Sequence, residues 1–189
     1  MSILRSSTDP RWVEVALSGL DATLGDHAHC EKKAAATAVK LVADNAGRPD
    51  LVRKLARLAQ EETHHFLAVL NELALRGRTL PPDTGDPYVQ ALLRLAGGGR
   101  GRLGEQLLVC ALVEARSCER LILLGEAIAD PRLAEFYRRL AQSEEGHERL
   151  FVDLAREHGE GLDVDRRLVE MAYEEAAVVA ALPLLPRIH

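Results

Sequence analysis

Six residues of this 189-residue chain have the types and the spacing of metal ligands. A lone glutamate precedes a Glu-x-x-His motif, and the same order recurs in the second half of the chain. Carboxylates and imidazoles are donors that iron and manganese accept, and four glutamates in one apolar core repel one another unless divalent cations lie between them. The six candidate ligands are Glu31, Glu62, His65, Glu114, Glu144 and His147.

The candidate ligands lie in apolar rows with helical spacing. Around Glu31, apolar residues recur every three or four positions between Leu20 and Leu41. Residues three and four apart share one face of a helix, so each ligand is predicted to project from the buried face of a long helix. The predicted helices cover 12–17, 21–45 (helix A), 49–76 (helix B), 88–96, 102–129 (helix C), 131–158 (helix D) and 165–181.

Helix B contains two overlapping Glu-x-x-His matches, and helical phase distinguishes them. Glu62 and His65 continue a row of three leucines, whereas Glu61 and His64 continue a row that holds basic residues. The string Leu-Ala-Gln-x-Glu-x-x-His of helix B also recurs in helix D and selects the same pair. We therefore predict that Glu62 and His65 are ligands. Glu61 and His64 are predicted to lie at the surface or to contact the ligands without binding the metal.

The composition favours an all-α protein. Hydrophobic residues make up 47% of the chain and aromatic residues only 4%, a balance typical of helices. One glutamate from each of two helices and Glu-x-x-His from each of two others is typical of ferritin-like four-helix bundles that bind two iron or manganese ions. The sequence therefore predicts one ferritin-like domain over residues 1–189, with extra terminal helices and a long connection at 78–101 between the second and third bundle helices.

Charge and cysteine content limit the partners and the compartment. The net charge of −5 argues against polyanion binding by bulk electrostatics, so any nucleic-acid contact needs a local basic face. Three cysteines without Cys-x-x-Cys spacing argue against a disulfide framework. No apolar run has the length of a signal peptide or of a membrane span, and we therefore expect a cytoplasmic protein.

Several other residues carry weaker signals. His27 lies one turn before Glu31, and the pattern leaves open whether it hydrogen-bonds that ligand or is an ordinary core residue. Tyr137 is expected to be a core aromatic residue, and Cys30 and Cys118 to be small buried side chains. Four arginines are expected to be solvated: Arg116, Arg120, Arg138 and Arg139.

The strings around the ligands resemble those of MiaE-type tRNA hydroxylases, a ferritin-like di-iron family. The similar strings lie at 26–35, 61–66, 114–120 and 136–147, and the similarity extends over about residues 20–154. The string Glu-Ala-Arg-Ser-Cys-Glu-Arg at 114–120 is the most diagnostic, because metal binding alone does not require it. The glycine run at 97–99 and the apolar tail at 182–188 do not resemble the family.

The resemblance implies an O2-dependent di-iron monooxygenase that hydroxylates the isopentenyl group of 2-methylthio-N6-isopentenyladenosine in the tRNA anticodon loop. It implies that the six candidate residues bind two iron ions, with manganese as the alternative metal, and that an external electron donor or reductase supplies electrons. The residue pattern alone leaves two other functions open. One is a ferritin- or rubrerythrin-like oxidase or peroxidase, and the other is a small-molecule di-iron hydroxylase or aldehyde-type oxygenase.

Contacts to tRNA have two sets of candidate residues. Arginines in and around the long connection are candidates for phosphate contacts, with scattered solvated side chains as the alternative reading. These arginines are Arg76, Arg78, Arg94, Arg100 and Arg102. Flipped-out bases stack on aromatic rings, for which the candidates are Trp12, Phe66 and Tyr88.

Overall fold

The computed structural model describes residues 2–97 and 99–189, without the side chain of Arg100. In these ranges the chain forms seven α-helices and no β-strand, which confirms the predicted all-α class. The helices are α1 (Arg11–Ser18), α2 (Leu20–Asp44), α3 (Pro49–Leu75), α4 (Pro87–Leu95), α5 (Arg102–Ala127), α6 (Pro131–His158) and α7 (Val164–Ala181). Every predicted helix is present, with ends within about two residues of the prediction.

Aspartate–proline pairs set the starts of two helices, α4 and α6. Asp130 accepts a hydrogen bond from the amide of Arg132 at 2.9 Å, and Pro131 occupies the first turn of α6. Asp86 caps α4 in the same way, accepting from the amide of Val89 at 2.9 Å. A carboxylate at this position accepts hydrogen bonds from amides that have no partner inside the helix. Proline is suited to the first turn because it has no N–H group that would need an acceptor there.

The end of α3 depends on a glycine. Gly77 has a φ of +68°, a left-handed conformation that residues with a Cβ rarely adopt. Its amide bonds the carbonyl of Ala74 and the next amide, of Arg78, bonds the carbonyl of Leu73, both at 2.9 Å. This is a Schellman motif, which satisfies the last carbonyls of the helix and turns the chain into the long connection.

The chain divides into two compact units. The first, here called the α2–α3 unit, comprises 15–84 and 185–188, and its two long helices pack along each other. The second, here called the α5–α6 unit, comprises 2–14, 85–97, 99–184 and 189 and is built on the α5–α6 pair, with α7 against α4 and α5. Each unit thus contains one pair of long helices that carries a lone glutamate and a Glu-x-x-His motif.

Close backbone packing holds the α5–α6 unit together at one end. A Cβ on Gly104 would lie 2.9 Å from the Cα of Gly159, so the start of α5 and the end of α6 approach more closely than any other residue allows. Among the described residues, no helix combines the length and the apolarity needed to cross a membrane.

Candidate metal centre

The α2–α3 unit buries three of the candidate ligands next to one another. Glu31 and Glu62 are 5% and 1% exposed, and the side chain of His65 is 14% exposed. Nδ1 of His65 lies 3.5 Å from Oε2 of Glu31 and 3.8 Å from Oε2 of Glu62. Two carboxylates and one imidazole therefore face one another inside the α2–α3 pair.

Burial along α3 agrees with the predicted helical phase. Glu61 and His64 are exposed, whereas Glu62 is buried and His65 is half-buried. The apolar row that continues from Glu62 along α3 is also buried. The two overlapping motifs thus point in different directions, and only the second one points into the helix pair.

Glu31 is held as a carboxylate by hydrogen bonds. Nε2 of His27 lies 2.6 Å from its Oε1, one helical turn away and equally buried. Burial by itself raises the pKa of Glu31, but the hydrogen bond with His27 and the nearby imidazole of His65 outweigh it and hold that pKa below its usual range. The open question about His27 is therefore answered, since it hydrogen-bonds a candidate ligand.

The α5–α6 unit buries the other three candidates. Glu114 on α5 is 6% exposed, and Glu144 and His147 on α6 are 2% and 4% exposed. Nδ1 of His147 lies 3.1 Å from Oε2 of Glu144. Tyr137, two turns before Glu144, is fully buried and packs edge-on against Phe136, as expected for a core aromatic residue.

The chemistry of the donors in each unit fits iron. Elsewhere in the α5–α6 unit two buried glutamates, Glu105 and Glu175, are each met by an arginine. The candidate ligands Glu31 and Glu144 instead have histidine nitrogens at 2.6 and 3.1 Å. Buried carboxylates that face imidazoles keep the donor atoms that a divalent iron or manganese ion binds, whereas an arginine partner would occupy them.

Two arginines were wrongly predicted to be solvated. Arg116 is fully buried, and its Nε and Nη2 each donate to Glu175 on α7 at 2.9 Å. Arg120 is 8% exposed and lies over the ring of Trp12, 4.9 Å from its centroid. The prediction was wrong because charged residues pair across the fold with partners far along the chain, which helical spacing does not reveal.

Arg116 connects the helix of Glu114 to two other segments. Besides its bonds to Glu175, it bonds Glu119 at 2.5 Å and the carbonyl of Ser6 at 3.1 Å. Glu119 in turn accepts from the amide and the hydroxyl of Thr8, at 3.0 and 2.6 Å. The arginine and the glutamate of the string at 114–120 are therefore explained by this network. The string itself was the feature of the sequence that could have indicated the network.

A second polar group next to the ligand row was missed at the sequence level. Ser117, one turn after Glu114, lies 2.8 Å from Nε2 of His189, whose Nδ1 lies 3.1 Å from Asp86. The ring of His189 also stacks on Tyr88 with 5.2 Å between centroids. The histidine of the tail thus packs against α5, a contact between residues 72 positions apart that no local motif signals.

The residues predicted to contact tRNA have mixed outcomes. Trp12 and Tyr88 are 1% and 2% exposed, so neither ring is open for base stacking. Arg76 and Arg78 both bond Asp21, at 2.5 and 2.6 Å, which neutralises part of their charge. Arg94 and Arg102 are exposed, Phe66 is half-buried, and the side chain of Arg100 lies outside the described residues.

Comparisons with known proteins agree on one family. The family described as tRNA-(MS2IO6A)-hydroxylase (MiaE) matches residues 1–189. A Pseudomonas putida protein named tRNA 2-(methylsulfanyl)-N(6)-isopentenyladenosine(37) hydroxylase is 37% identical over 166 residues, covering 87% of this chain and 80% of its own. A Salmonella typhimurium protein of the same name is 27% identical over 207 residues, covering 83% of this chain and 76% of its own.

A solved structure shares the fold. It is described as protein 43 with aldehyde deformylating oxygenase activity from Synechococcus, and it matches with a TM-score of 0.93 at 36% identity. The match covers 100% of this chain and 96% of that one. Together with the observed helices, this match confirms the predicted ferritin-like all-α architecture.

Proposed function

The chain belongs to the MiaE family of tRNA-(MS2IO6A)-hydroxylases, and from this premise we propose that it hydroxylates the isopentenyl group of 2-methylthio-N6-isopentenyladenosine in tRNA. The observation that carries the proposal is the match of the family over residues 1–189, joined to a relative of that name at 37% identity. The buried Glu-x-x-His motif in each unit supports the same chemistry. A tRNA substrate implies the cytoplasm.

We assign the metal to the six residues selected by the sequence. Glu31, Glu62 and His65 would come from the α2–α3 unit, and Glu114, Glu144 and His147 from the α5–α6 unit. Their four carboxylates balance the charge of two ferrous ions, as in other ferritin-like dimetal proteins. This assignment requires both units to act as one domain, as the sequence predicts.

The roles of the chain follow from burial and hydrogen bonding. Iron, when bound, supplies the reductive activation of O2 that insertion of oxygen into an allylic C–H bond requires. The protein excludes water from the ligands, which are no more than 6% exposed for Glu31, Glu62, Glu114, Glu144 and His147. His27 orients the carboxylate of Glu31 through its 2.6 Å hydrogen bond. An external reductase would supply two electrons, so that the second oxygen atom leaves as water.

The direct test is hydroxylation of tRNA by the iron-loaded protein. Purified protein is incubated with reductant, 18O2 and tRNA that carries the prenylated but unhydroxylated nucleoside, and nucleosides are analysed by mass spectrometry. We expect one labelled oxygen in the prenyl group and loss of this product in Glu114→Ala. The proposal would be refuted if protein that holds two irons per chain leaves the nucleoside unchanged in two settings. One is the purified reaction with chemical reductant, and the other is expression in cells that lack their own hydroxylase.

One observation favours a second candidate function. The solved structure with aldehyde deformylating oxygenase activity is 36% identical to this chain and covers all of it. A small-molecule oxygenase acting on aldehydes is therefore the alternative. The same iron-loaded protein, given a long-chain aldehyde in place of tRNA, separates the two: formation of an alkane and formate without reaction on tRNA would favour the aldehyde enzyme.

A further inference from the structure

The α5–α6 unit contains a large cleft on the two helices that carry Glu114 and Glu144. It has a volume of about 820 Å³ and lies between the N-terminal segment at 2–7 and the groove formed by α5 and α6. Clefts of this size hold drug-sized ligands, and a modified nucleotide falls in that range.

The floor of the cleft is made of small side chains next to the ligand row. Ala115, Cys118 and Ala141 line it and are 3%, 9% and 5% exposed. On their helices Cys118 lies one turn after Glu114, and Ala141 lies one turn before Glu144. The thiol of Cys118 donates to the carbonyl of Ala141 at 3.3 Å, so the floor is one layer of small groups across the α5–α6 groove.

One wall of the cleft is held in place by the Arg116 network. Ser6 accepts from Arg116 at 3.1 Å, and Thr8 is bonded twice to Glu119 on α5. These bonds fix the segment that carries Leu4 and Arg5 into the cleft. The cleft is therefore built by residues more than a hundred positions apart. Because this wall is already ordered, ligand binding does not carry the entropic cost of ordering it.

The rim carries arginines that are exposed and only weakly paired. The side chains of Arg138, Arg139 and Arg149 are 54%, 73% and 68% exposed. Their partners are glutamates one turn away on α6, and exposed pairs of this kind are worth little and exchange readily. Arg5 completes the rim, 5.5 Å from the ring of Tyr173.

We propose that this cleft binds the modified adenosine of the tRNA, with the prenyl group on the floor of Ala115, Cys118 and Ala141 and with the base and its phosphates among the rim arginines. This proposal rests on the proposed function. Arginine planes stack on bases and bind phosphates, and the apolar floor fits the prenyl group. A linear alkyl chain has no polar groups to match a lining that holds four arginines and four glutamates, which disfavours an aldehyde as occupant.

Binding measurements on the full-length, iron-loaded protein test the proposal. Under argon, where no turnover occurs, fluorescence anisotropy reports the Kd for a synthetic anticodon stem-loop with 2-methylthio-N6-isopentenyladenosine and for the same stem-loop with plain adenosine. Ala141→Leu fills the floor, and we expect it to raise the Kd of the prenylated stem-loop by about tenfold while changing that of the plain one by less than about twofold.

Charge reversal on the rim provides a second variant that does not alter the interior. We expect Arg139→Glu to raise the Kd of both stem-loops by about tenfold, with a shallower salt dependence. The matched control is Arg156→Glu, which is on the same helix, is also exposed and lies outside the cleft. Circular dichroism melts verify that each variant is folded.

The outcomes separate this inference from the proposed function. Suppose that the wild-type protein hydroxylates tRNA, and that Ala141→Leu and Arg139→Glu bind both stem-loops as tightly as wild type does. This result would refute the cleft as the binding site and leave the proposed function intact. Equal weakening of both stem-loops by Ala141→Leu would also overturn the assignment of the prenyl group to the floor. If the cleft binds a long-chain aldehyde tightly, and Ala141→Leu abolishes this binding without changing the Kd of either stem-loop, the occupant is an aldehyde and not the modified adenosine.

Discussion

Nε2 of His27 lies 2.6 Å from Oε1 of Glu31, and both side chains are buried in the interior of the α2–α3 unit. The hydrogen bond fixes the direction of the Glu31 carboxylate before any metal arrives. Hydrogen-bond partners of metal ligands affect affinity almost as strongly as some ligands do.

Removing this hydrogen bond is expected to weaken metal binding. We predict that His27→Ala lowers the affinity for Fe2+ or Co2+ by about 10- to 100-fold, because the carboxylate loses its orienting partner. Competition titration against a chelator measures the effect. His64→Ala, at an exposed position of α3, is the control and should bind as wild type does. Equal affinities in the two variants would mean that His27 is an ordinary core residue.

The two Glu-x-x-His motifs of α3 are distinguishable by matched substitutions. We predict that Glu62→Gln lowers the metal content below two ions per chain and abolishes hydroxylation, whereas Glu61→Gln leaves both unchanged. The free energy of unfolding of the metal-free Glu62→Gln protein should stay within about 1 kcal/mol of wild type, because glutamine has nearly the same shape as glutamate and leaves no cavity. Metal analysis and urea denaturation check both parts. Full metal loading of Glu62→Gln contradicts the ligand assignment.

The buried pair of Arg116 and Glu175 is expected to be coupled. We predict that Arg116→Met lowers the free energy of unfolding by about 3–5 kcal/mol, because it leaves the carboxylate of Glu175 buried without its cation. The double variant Arg116→Met/Glu175→Gln should lose less than the sum of the single variants. Urea denaturation in a double-mutant cycle measures the coupling.

A surface arginine serves as the control for this cycle. Arg166 is 73% exposed and lies 3.7 Å from Asp163, so Arg166→Met should change the free energy of unfolding by less than about 0.5 kcal/mol. Additive losses in the Arg116 cycle would show that its side chain acts through packing alone.

The thiol at the floor of the cleft should react only at high pH. Burial, and then the charge of Glu144, raises the pKa of Cys118 to about 11. Because only the thiolate is alkylated, we predict that modification of Cys118 by iodoacetamide in the native protein rises about tenfold per pH unit from about pH 8 to 10. Peptide mass spectrometry follows the reaction, with urea-unfolded protein as the control. A rate that levels off near pH 9 in the native protein would contradict the raised pKa.

Local patterning was sufficient for the helices and for the face that each candidate ligand occupies. The side chain of Glu62 points inward and that of Glu61 outward because a rotation of 100° per residue is a property of the helix itself, readable from the leucines one and two turns away. The family, too, was predicted from strings around the ligands, and the match over residues 1–189 confirms it.

The partners of buried charges were not readable in this way. Arg116 meets Glu175 59 positions later, and Thr8 meets Glu119 111 positions later, so the network and the cleft wall that it fixes follow from tertiary packing. A charged residue in a helix has the same local signature whether solvent or a distant counter-charge neutralises it. Only the folded chain brings the two charges together, and the cost of burying either one alone makes that pairing obligatory.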